Sequence, residues 1–469
     1  MSLPRFTSEE LVQASGGRWL GPPPAEVAGV STDTRAVAAG NAFVALRGER
    51  FDAHDFLADA AGAKAACAVV AEGWMARESA AGRTPPEGLP LLAVPDTLAA
   101  LGNLARFHRR RFAVPVVGVT GSNGKTTTRE MIASILATRG PVLRTEGNLN
   151  NEVGVPLTLL RLGPAHTAAV VEMGMSHPGE IARLAAMAEP RVGVVTNASA
   201  AHLHGLGSVD AVARAKGELY QGLPADGIAV ANADDPRMLA RARKCGRRLL
   251  TFSGGADPEA DVVVLDVLSH GTDGLSFLLA IGTKEIPVRL PLVGVHNAVN
   301  AAAAAAAAVA LGCSDQEIVR GLADVQPVGR RLRLERLPSG ALLVDDCYNA
   351  NPASMAAALR TLAELSQGGR AVAALGDMLE LGPAEEESHR ELGRLAAAAG
   401  VGLLATFGPR SRHAHQAALA AGLAPERALH TEDPATLAAW VRERLQPRDV
   451  LLVKGSRGMK LERLVEALR

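Results

Sequence analysis

Residues 114–128 read Val-Pro-Val-Val-Gly-Val-Thr-Gly-Ser-Asn-Gly-Lys-Thr-Thr-Thr, and no other stretch limits the fold as tightly. The β-branched run Val116 to Thr120 predicts a buried strand, Gly121-Ser122-Asn123-Gly124 a tight turn, and Arg129 to Thr138 has helical spacing. Strand, glycine turn and helix in that order make a phosphate cradle. Glycines let backbone N–H groups turn toward an anion, and the helix N-terminus adds its positive end. Lys125 supplies a point charge, and the Thr126 hydroxyl is a ligand for Mg²⁺. Counting back from Gly124 puts Val119 where the usual P-loop has its first glycine, so the match is irregular. An ordinary strand-to-helix turn with an exposed lysine is the alternative at this point.

Composition bounds the rest. A chain of 469 residues is expected to hold two to four domains, at roughly 100–200 residues each. Acidic and basic residues balance at 49 each, so no global field points to nucleic acid or to an anionic membrane. Aromatics are only 3%, which leaves cores of Ala, Val and Leu. The cysteines at 67, 245, 313 and 347 are scattered, which argues against a disulfide framework or zinc site and fits a reducing cytosol. The opening MSLPRFTSEE lacks the basic and apolar regions of a signal peptide. The alanine run at 301–308, beside Asn297 and Asn300, is too weakly apolar to span a bilayer. A soluble cytoplasmic protein without membrane insertion is expected.

The chain divides into three expected domains, 1–94, 95–326 and 327–469, all of them α/β. In the first, 43–46 and 68–71 are strand-like and Phe56 to Ala66 reads as an alanine-rich helix; the Gly/Pro-rich segment 82–90 closes it. In the second, apolar runs at 116–119, 168–172, 192–196 and 228–231 each precede a helical pattern, predicting a doubly wound, mostly parallel sheet. Alternating segments at 262–267, 275–280 and 285–290 predict an antiparallel insertion. The octa-alanine run after them is a strong helix former. Strands at 341–345, 371–375, 403–407 and 449–453 give the third a Rossmann-like order without the Gly-x-Gly-x-x-Gly fingerprint.

A phosphate cradle needs a metal, and hard oxygen ligands should lie at the ends of neighbouring strands. Glu172 ends the strand-like Val170-Val171 and is a candidate, against the plainer reading of a solvated strand-end acid. His202 lies in the loop after Thr196-Asn197, where an isolated histidine is more often surface polarity. Lys216 resembles any surface lysine apart from the glycine that follows it. Asn297 and Asn300 are three apart on one helix face, suited to a base edge or simply to capping. Arg330 follows Gly329 and Asp346 ends a strand; a phosphate and a ribose suit them, as does a surface ion pair.

Taken together, Thr120-Gly121-Ser122-Asn123-Gly124-Lys125-Thr126-Thr127, Glu172-Met173-Gly174, His202, Lys216-Gly217-Glu218, His296-Asn297-Ala298-Val299-Asn300, Gly329-Arg330 and Asp345-Asp346 resemble, in order and spacing, the Mur ligases. These are ATP-dependent amide-forming enzymes of peptidoglycan precursor synthesis, and the resemblance covers essentially the whole chain. Three further runs, 145–156 (TEGNLNNEVGVP), 346–355 (DCYNANPASM) and 376–382 (GDMLELG), resemble the member that joins D-alanyl-D-alanine to UDP-N-acetylmuramoyl-tripeptide.

The resemblance implies ATP and Mg²⁺, with Gly121, Ser122, Asn123, Gly124 and Thr127 around the phosphates. Lys125 would hold the β- and γ-phosphates, and Thr126 with Glu172 one Mg²⁺. His202 resembles a ligand of a second Mg²⁺, and Lys216 the family's carbamylated lysine. Asn297 and Asn300 would face adenine, Arg330 the γ-phosphate, and Asp346 the ribose. In the first domain Ser31, Thr34, Arg35, Arg47, Gly48, Asp52 and His54 resemble the segments that hold the UDP-sugar, while Asn150 and Asn151 resemble contacts to the muramyl-peptide end. The third domain would close on ATP and bind the dipeptide, in a monomer. Cys347 stands where the family often has serine. Another Mur-type or folylpolyglutamate-type ligase, or a small-molecule kinase, is the alternative.

Overall fold

Three largely parallel sheets flanked by helices, with a two-stranded antiparallel ribbon of Arg5–Thr7 and Glu26–Ala28, organise the chain in a computed structural model that describes residues 3–48, 51–81, 84–200 and 206–469. The first runs Arg18–Leu20, Leu91–Val94, Cys67–Ala71, Ala42–Val44, Val30–Ser31, parallel except at its first pair. The predicted helix from Phe56 is shorter than its alanine content suggests. A 3₁₀ turn, Ala53–Phe56, precedes Leu57–Gly62, and Lys64 at φ 61° turns the chain out of the helix. The helix Thr97–Arg109, capped by Asp96, buries Leu101, Leu104 and Ala105. Those side chains share one core with Val44, Val69 and Leu92 of the first sheet and with Leu159, Leu184 and Leu219 beyond it.

Nine strands form the central sheet. Val116–Thr120 lies between Ala168–Glu172 and Val192–Val195, with Val119 beside Glu172 and Thr120 beside Val195. That register ends three parallel strands at one level. The glycine turn, the Glu172 carboxylate and Thr196-Asn197 therefore emerge side by side, at the carboxyl edge where ligands bind in open α/β sheets. The antiparallel strands Val262–Ser269, Leu275–Ile281 and Lys284–Leu290 are continuous with this sheet rather than a separate insertion, because Phe252 and Ser253 pair in parallel with Val262 and Val263. The helix His296–Ala310 is buried on all sides over Ala301 to Ala308. Its methyl-sized side chains let it pack directly on the Lys125–Leu136 helix and on strands of the sheet.

The third sheet runs Arg333–Arg336, Leu342–Asp345, Val450–Lys454, Ala371–Gly376, Leu403–Phe407, Ala428–Thr431, parallel except for its first strand. The two outermost strands escape the sequence patterns because they lie at sheet edges and carry polar, half-buried side chains. Among the described residues no helix is long and apolar enough to cross a membrane.

Candidate active site

The glycine turn is shaped by what lies against it. Gly121 and Gly124 take φ values of 151° and 80°, and a Cβ on either would lie 1.8 Å from Thr196 Oγ1 or 2.3 Å from Asn300 Oδ1. The end of the neighbouring strand holds the turn in place. Ser122 N donates to Asn197 O at 2.9 Å, Asn123 N to Asn197 Oδ1 at 3.0 Å, and Thr196 Oγ1 to Asn123 O at 2.5 Å. The Lys125–Leu136 helix starts directly after Gly124, and its first-turn amides have no carbonyl within the helix to bond. Lys125 Nζ curls back over the turn, donating to Gly121 O at 2.8 Å and Ser122 O at 3.3 Å. Burial lowers its pKa, Arg331 adds to the shift, and Glu172 opposes it. A half-buried ammonium over a ring of amides is a site for polyphosphate.

Glu172 is 2% exposed and fully engaged. It accepts from Thr126 Oγ1 at 2.9 Å, Asn150 Nδ2 at 2.9 Å and Arg129 Nη1 at 3.0 Å. Arg129, itself 1% exposed, also pairs with Glu130, which reaches Arg144 at 3.1 Å. Arg129 is a functional neighbour that the motif reading missed, although its place three residues after Thr126 puts it on the same helix face. Thr126 and Glu172 offer Mg²⁺ one hydroxyl and one carboxylate oxygen. Among the described residues no group of three or more His, Cys, Asp or Glu could hold a metal alone. Such a partial set suits an ion that takes its other ligands from phosphate and water.

Lys216 lies on the Val209–Gln221 helix, lines the same cavity as Lys125, and is 2% exposed. Burial holds its pKa well below the usual lysine range, and the charge of Lys125 adds to this. The glycine after it has a packing reason, since a Cβ on Gly217 would lie 3.0 Å from Arg241 Cδ. His202 falls outside the described residues.

Two adjoining cavities, about 580 and 710 Å³, share Thr126, Thr127, Asn297, Arg331 and Leu332. The larger also holds Lys125, Glu172, Lys216, Asn150 and Asn151 from the central region, and Asp346, Tyr348, Asn351 and Lys454 from the third. Asp346 is not free: Lys454 Nζ donates to its Oδ2 at 2.6 Å. Lys454 itself, 3% exposed, had no motif to mark it at the end of an apolar strand.

Several expected site residues have other partners here. Arg330 lines the smaller cavity but not the one around Lys125; it lies 3.6 Å from Asp345 and 3.2 Å from Glu466 and donates to Cys347 Sγ at 3.8 Å. Gly329 and Leu332, at φ 67° and 50°, turn the chain so that Arg331 faces the cleft instead, 4.1 Å over the Tyr348 ring. Asn297 and Asn300 reach the cleft wall, but Asn300 Nδ2 donates to Asn297 Oδ1 at 2.9 Å and Asn297 Nδ2 to Val293 O at 2.8 Å. Both side chains are thus bonded within the protein, to each other and to Val293, while Asn300 Oδ1 lies against Gly124. His54 is buried beneath Trp74, with Nδ1 2.5 Å from Asp52 Oδ1 and Nε2 accepting from Ala71 N at 3.0 Å. Both of its ring nitrogens serve the fold.

The other first-domain candidates lie apart from the cleft. Ser31 Oγ donates to Asp33 O, Arg35 pairs with Asp33 at 2.6 Å beside Thr34, and the Arg47 main chain pairs antiparallel with that of Asp52, with Gly48 N donating to Phe51 O. None of them lines either cavity. Asn150 does, against Glu172, and Asn151 lines it while its Oδ1 accepts from Gly154 N at 2.8 Å.

The glycine cradle, the carboxylate at the neighbouring strand end and the buried lysine, all facing a second parallel unit, define an enzyme that acts on a nucleoside triphosphate. Comparison with known proteins narrows the class. The family descriptions "Mur ligase family, catalytic domain", "Mur ligase middle domain" and "Mur ligase, glutamate ligase domain" match residues 26–109, 119–308 and 330–457. The UDP-N-acetylmuramoyl-tripeptide--D-alanyl-D-alanine ligase of Escherichia coli (strain K12) is 42% identical over 444 residues, 94% of this chain and 93% of that protein. A crystal structure of MurF from Acinetobacter baumannii superposes with a TM-score of 0.89 at 34% identity, covering 100% of this chain and 99% of that one. MurF ligase from Thermotoga maritima, solved in complex with ADP, gives 0.81 at 29% identity over 94% and 96%. The chain belongs to the Mur ligase family.

Proposed function

We propose that this enzyme joins D-alanyl-D-alanine to UDP-N-acetylmuramoyl-tripeptide at the expense of ATP, in peptidoglycan precursor synthesis. The observation that carries the chemistry is the cleft in which Lys125, Thr126, Glu172 and Lys216 of the central region face Arg331, Asp346 and Lys454. The substrates are those named for relatives 42% and 37% identical to this chain over 94% of its length.

A carboxylate is a poor acyl donor, so the tripeptide's terminal carboxylate is first phosphorylated by ATP. The dipeptide amine then attacks the acyl phosphate, and phosphate leaves. Lys125 and the first-turn amides hold the phosphates, and Arg331 approaches the same charge from the third region. Thr126 and Glu172 are the residues to hold Mg²⁺, which when bound neutralises charge on the transferred phosphoryl group. Arg129 and Asn150 fix the Glu172 carboxylate toward Thr126. Burial shifts Lys216 toward the neutral amine that can add CO₂: its nitrogen bonds to the carbon, a proton is released, and the resulting carbamate is an anionic oxygen ligand. His202 is assigned to a second Mg²⁺ by the resemblance alone.

In this reading residues 1–94 hold the UDP-sugar, 95–326 hold ATP, and 327–469 close over it and take the dipeptide. The smaller cavity, between Thr127, Asn297 and residues 325–334, takes the nucleoside end, read chiefly by main chain. The enzyme acts as a cytoplasmic monomer, where nucleotide-activated precursors and ATP are found. Phosphate release with UDP-N-acetylmuramoyl-tripeptide and ATP, measured with and without D-alanyl-D-alanine, tests the assignment. Release should require the dipeptide; release without it, or a stable phosphorylated product, would mark a kinase or hydrolase.

A further inference from the structure

One hydrogen bond joins the phosphate cradle directly to the third region. Asn351 Nδ2 donates to Asn123 Oδ1 at 2.7 Å, between residues 228 positions apart, and both side chains line the larger cavity. Each partner is fixed before they meet. Asn123 donates from Nδ2 to Ser199 Oγ at 3.0 Å and from its main-chain N to Asn197 Oδ1, while its carbonyl accepts from Thr196 and Asn197. Its Oδ1 is left to face the third region. Asn351 caps the Pro352–Leu365 helix through its other end, with Oδ1 accepting from Ser354 N at 2.9 Å and its N donating to Ser354 Oγ at 3.0 Å. A single carboxamide thus spans a helix N-terminus and the loop that cradles phosphate.

The segment that Asn351 ends also carries the other groups facing the cleft. Lys454 Nζ donates to Asp346 Oδ2 at 2.6 Å and to Asn349 O at 3.0 Å, Tyr348 carries Arg331, and Ser456 Oγ donates to Ala350 O at 3.5 Å. Where Asn351 meets Asn123 therefore decides where Arg331 and Lys454 stand relative to the phosphates. We infer that Asn351 is a positioning residue whose bond to Asn123 seats the third region on the phosphate cradle, so that turnover depends on it more than the holding of either substrate alone. The inference rests on the ligase reading for what is turned over, but the contact it describes is independent of that reading.

Asn351→Ser separates the two tasks of the side chain. Serine keeps the helix cap but is too short to reach Asn123. The expected result is a kcat lower by about tenfold or more, since small misplacements of reacting groups cost that much. The KM for UDP-N-acetylmuramoyl-tripeptide should stay within about twofold and the melting temperature should hold. Asn351→Ala, which also loses the cap, should lose stability as well. Small-angle scattering with a non-hydrolysable ATP analogue and the UDP-substrate should show the wild type more compact than Asn351→Ser. Asn123→Ala combined with Asn351→Ser should lose no more than Asn123→Ala alone. A near wild-type kcat in Asn351→Ser, equal compaction of the two proteins, or multiplicative losses in the double variant would each overturn the inference. Absence of dipeptide-dependent phosphate release in the wild type would instead sink the ligase reading and leave the scattering result to judge the contact.

Discussion

At the residue scale, the site depends on groups whose surroundings set their charge. Lys216 looks in the sequence like any lysine on a helix, and only its burial, with the charge of Lys125 nearby, marks it as an amine whose pKa is pushed down. Lys216→Ala should lose nearly all dipeptide-dependent phosphate release without rescue by bicarbonate; near wild-type rates would rule out a carbamate at this position. Arg331 and Arg330 can be told apart in the same assay. Arg331→Ala should lower turnover at least about tenfold, as expected when a charged donor to the transferred phosphoryl group is lost. Arg330→Ala should cost stability near Asp345 more than rate. His296 makes a pH prediction. Burial, helped by Lys454 and Arg360 and opposed by Asp346, lowers its pKa from 6.5 to about 4. Between those values the unfolded chain binds a proton that the folded one refuses, so stability falls as pH drops through that window. His296→Gln should therefore show a smaller drop in melting temperature between neutral pH and about 4.5.

At the element scale, the Lys125–Leu136 helix organises the centre of the molecule. Its N-terminus faces the cleft, one face packs on the alanine helix His296–Ala310, and Arg129 and Glu130 run from its first turns to Glu172 and Arg144. Removing one member of this buried network leaves carboxylates uncompensated. Arg129→Met should destabilise the enzyme by about 3–5 kcal/mol in denaturant unfolding, the range for breaking a buried pair from one side. A loss below about 1 kcal/mol would mean the network is solvated, contrary to its burial. Much of this element was legible in advance. A β-branched run, a glycine turn and helical spacing are local signals; the strand falls where they put it, while the helix starts at Lys125, four residues before the spacing expected, because it follows directly on the Gly124 turn. The edge strands Arg333–Arg336 and Ala428–Thr431 were not legible, because a half-buried edge carries no continuous apolar run.

Across the whole molecule, binding and chemistry are spread over sheets far apart in the chain. On the proposed assignment, ATP phosphates meet the central region while the UDP-sugar is held by residues 1–94. Lys125→Ala should then abolish turnover yet leave binding of the UDP-substrate, followed by calorimetry, within about threefold of wild type (roughly 0.6 kcal/mol). A parallel loss of both in a folded variant would contradict that division. The cleft itself was only half legible. Gly124, Lys125, Thr126, Glu172 and Lys216 line one cavity, because they follow or end neighbouring strands of the sheet or lie on helices packed on it, and Asn150 joins them from a loop by its bond to Glu172. The direction of Arg330, the inward bonding of Asn297 and Asn300 and the burial of His54 were not legible.

The sequence by itself determined the α/β alternation of the central strands and helices, the phosphate cradle and the family, since these rest on local spacing and on runs of specific residues. Only the tertiary structure decided which neighbouring arginine enters the cleft, which carboxamides are consumed within the protein, and that Asn351 meets Asn123. Those outcomes depend on a few backbone turns, such as Gly329 and Leu332, and on partners hundreds of residues away, and neither leaves a periodic trace in the chain.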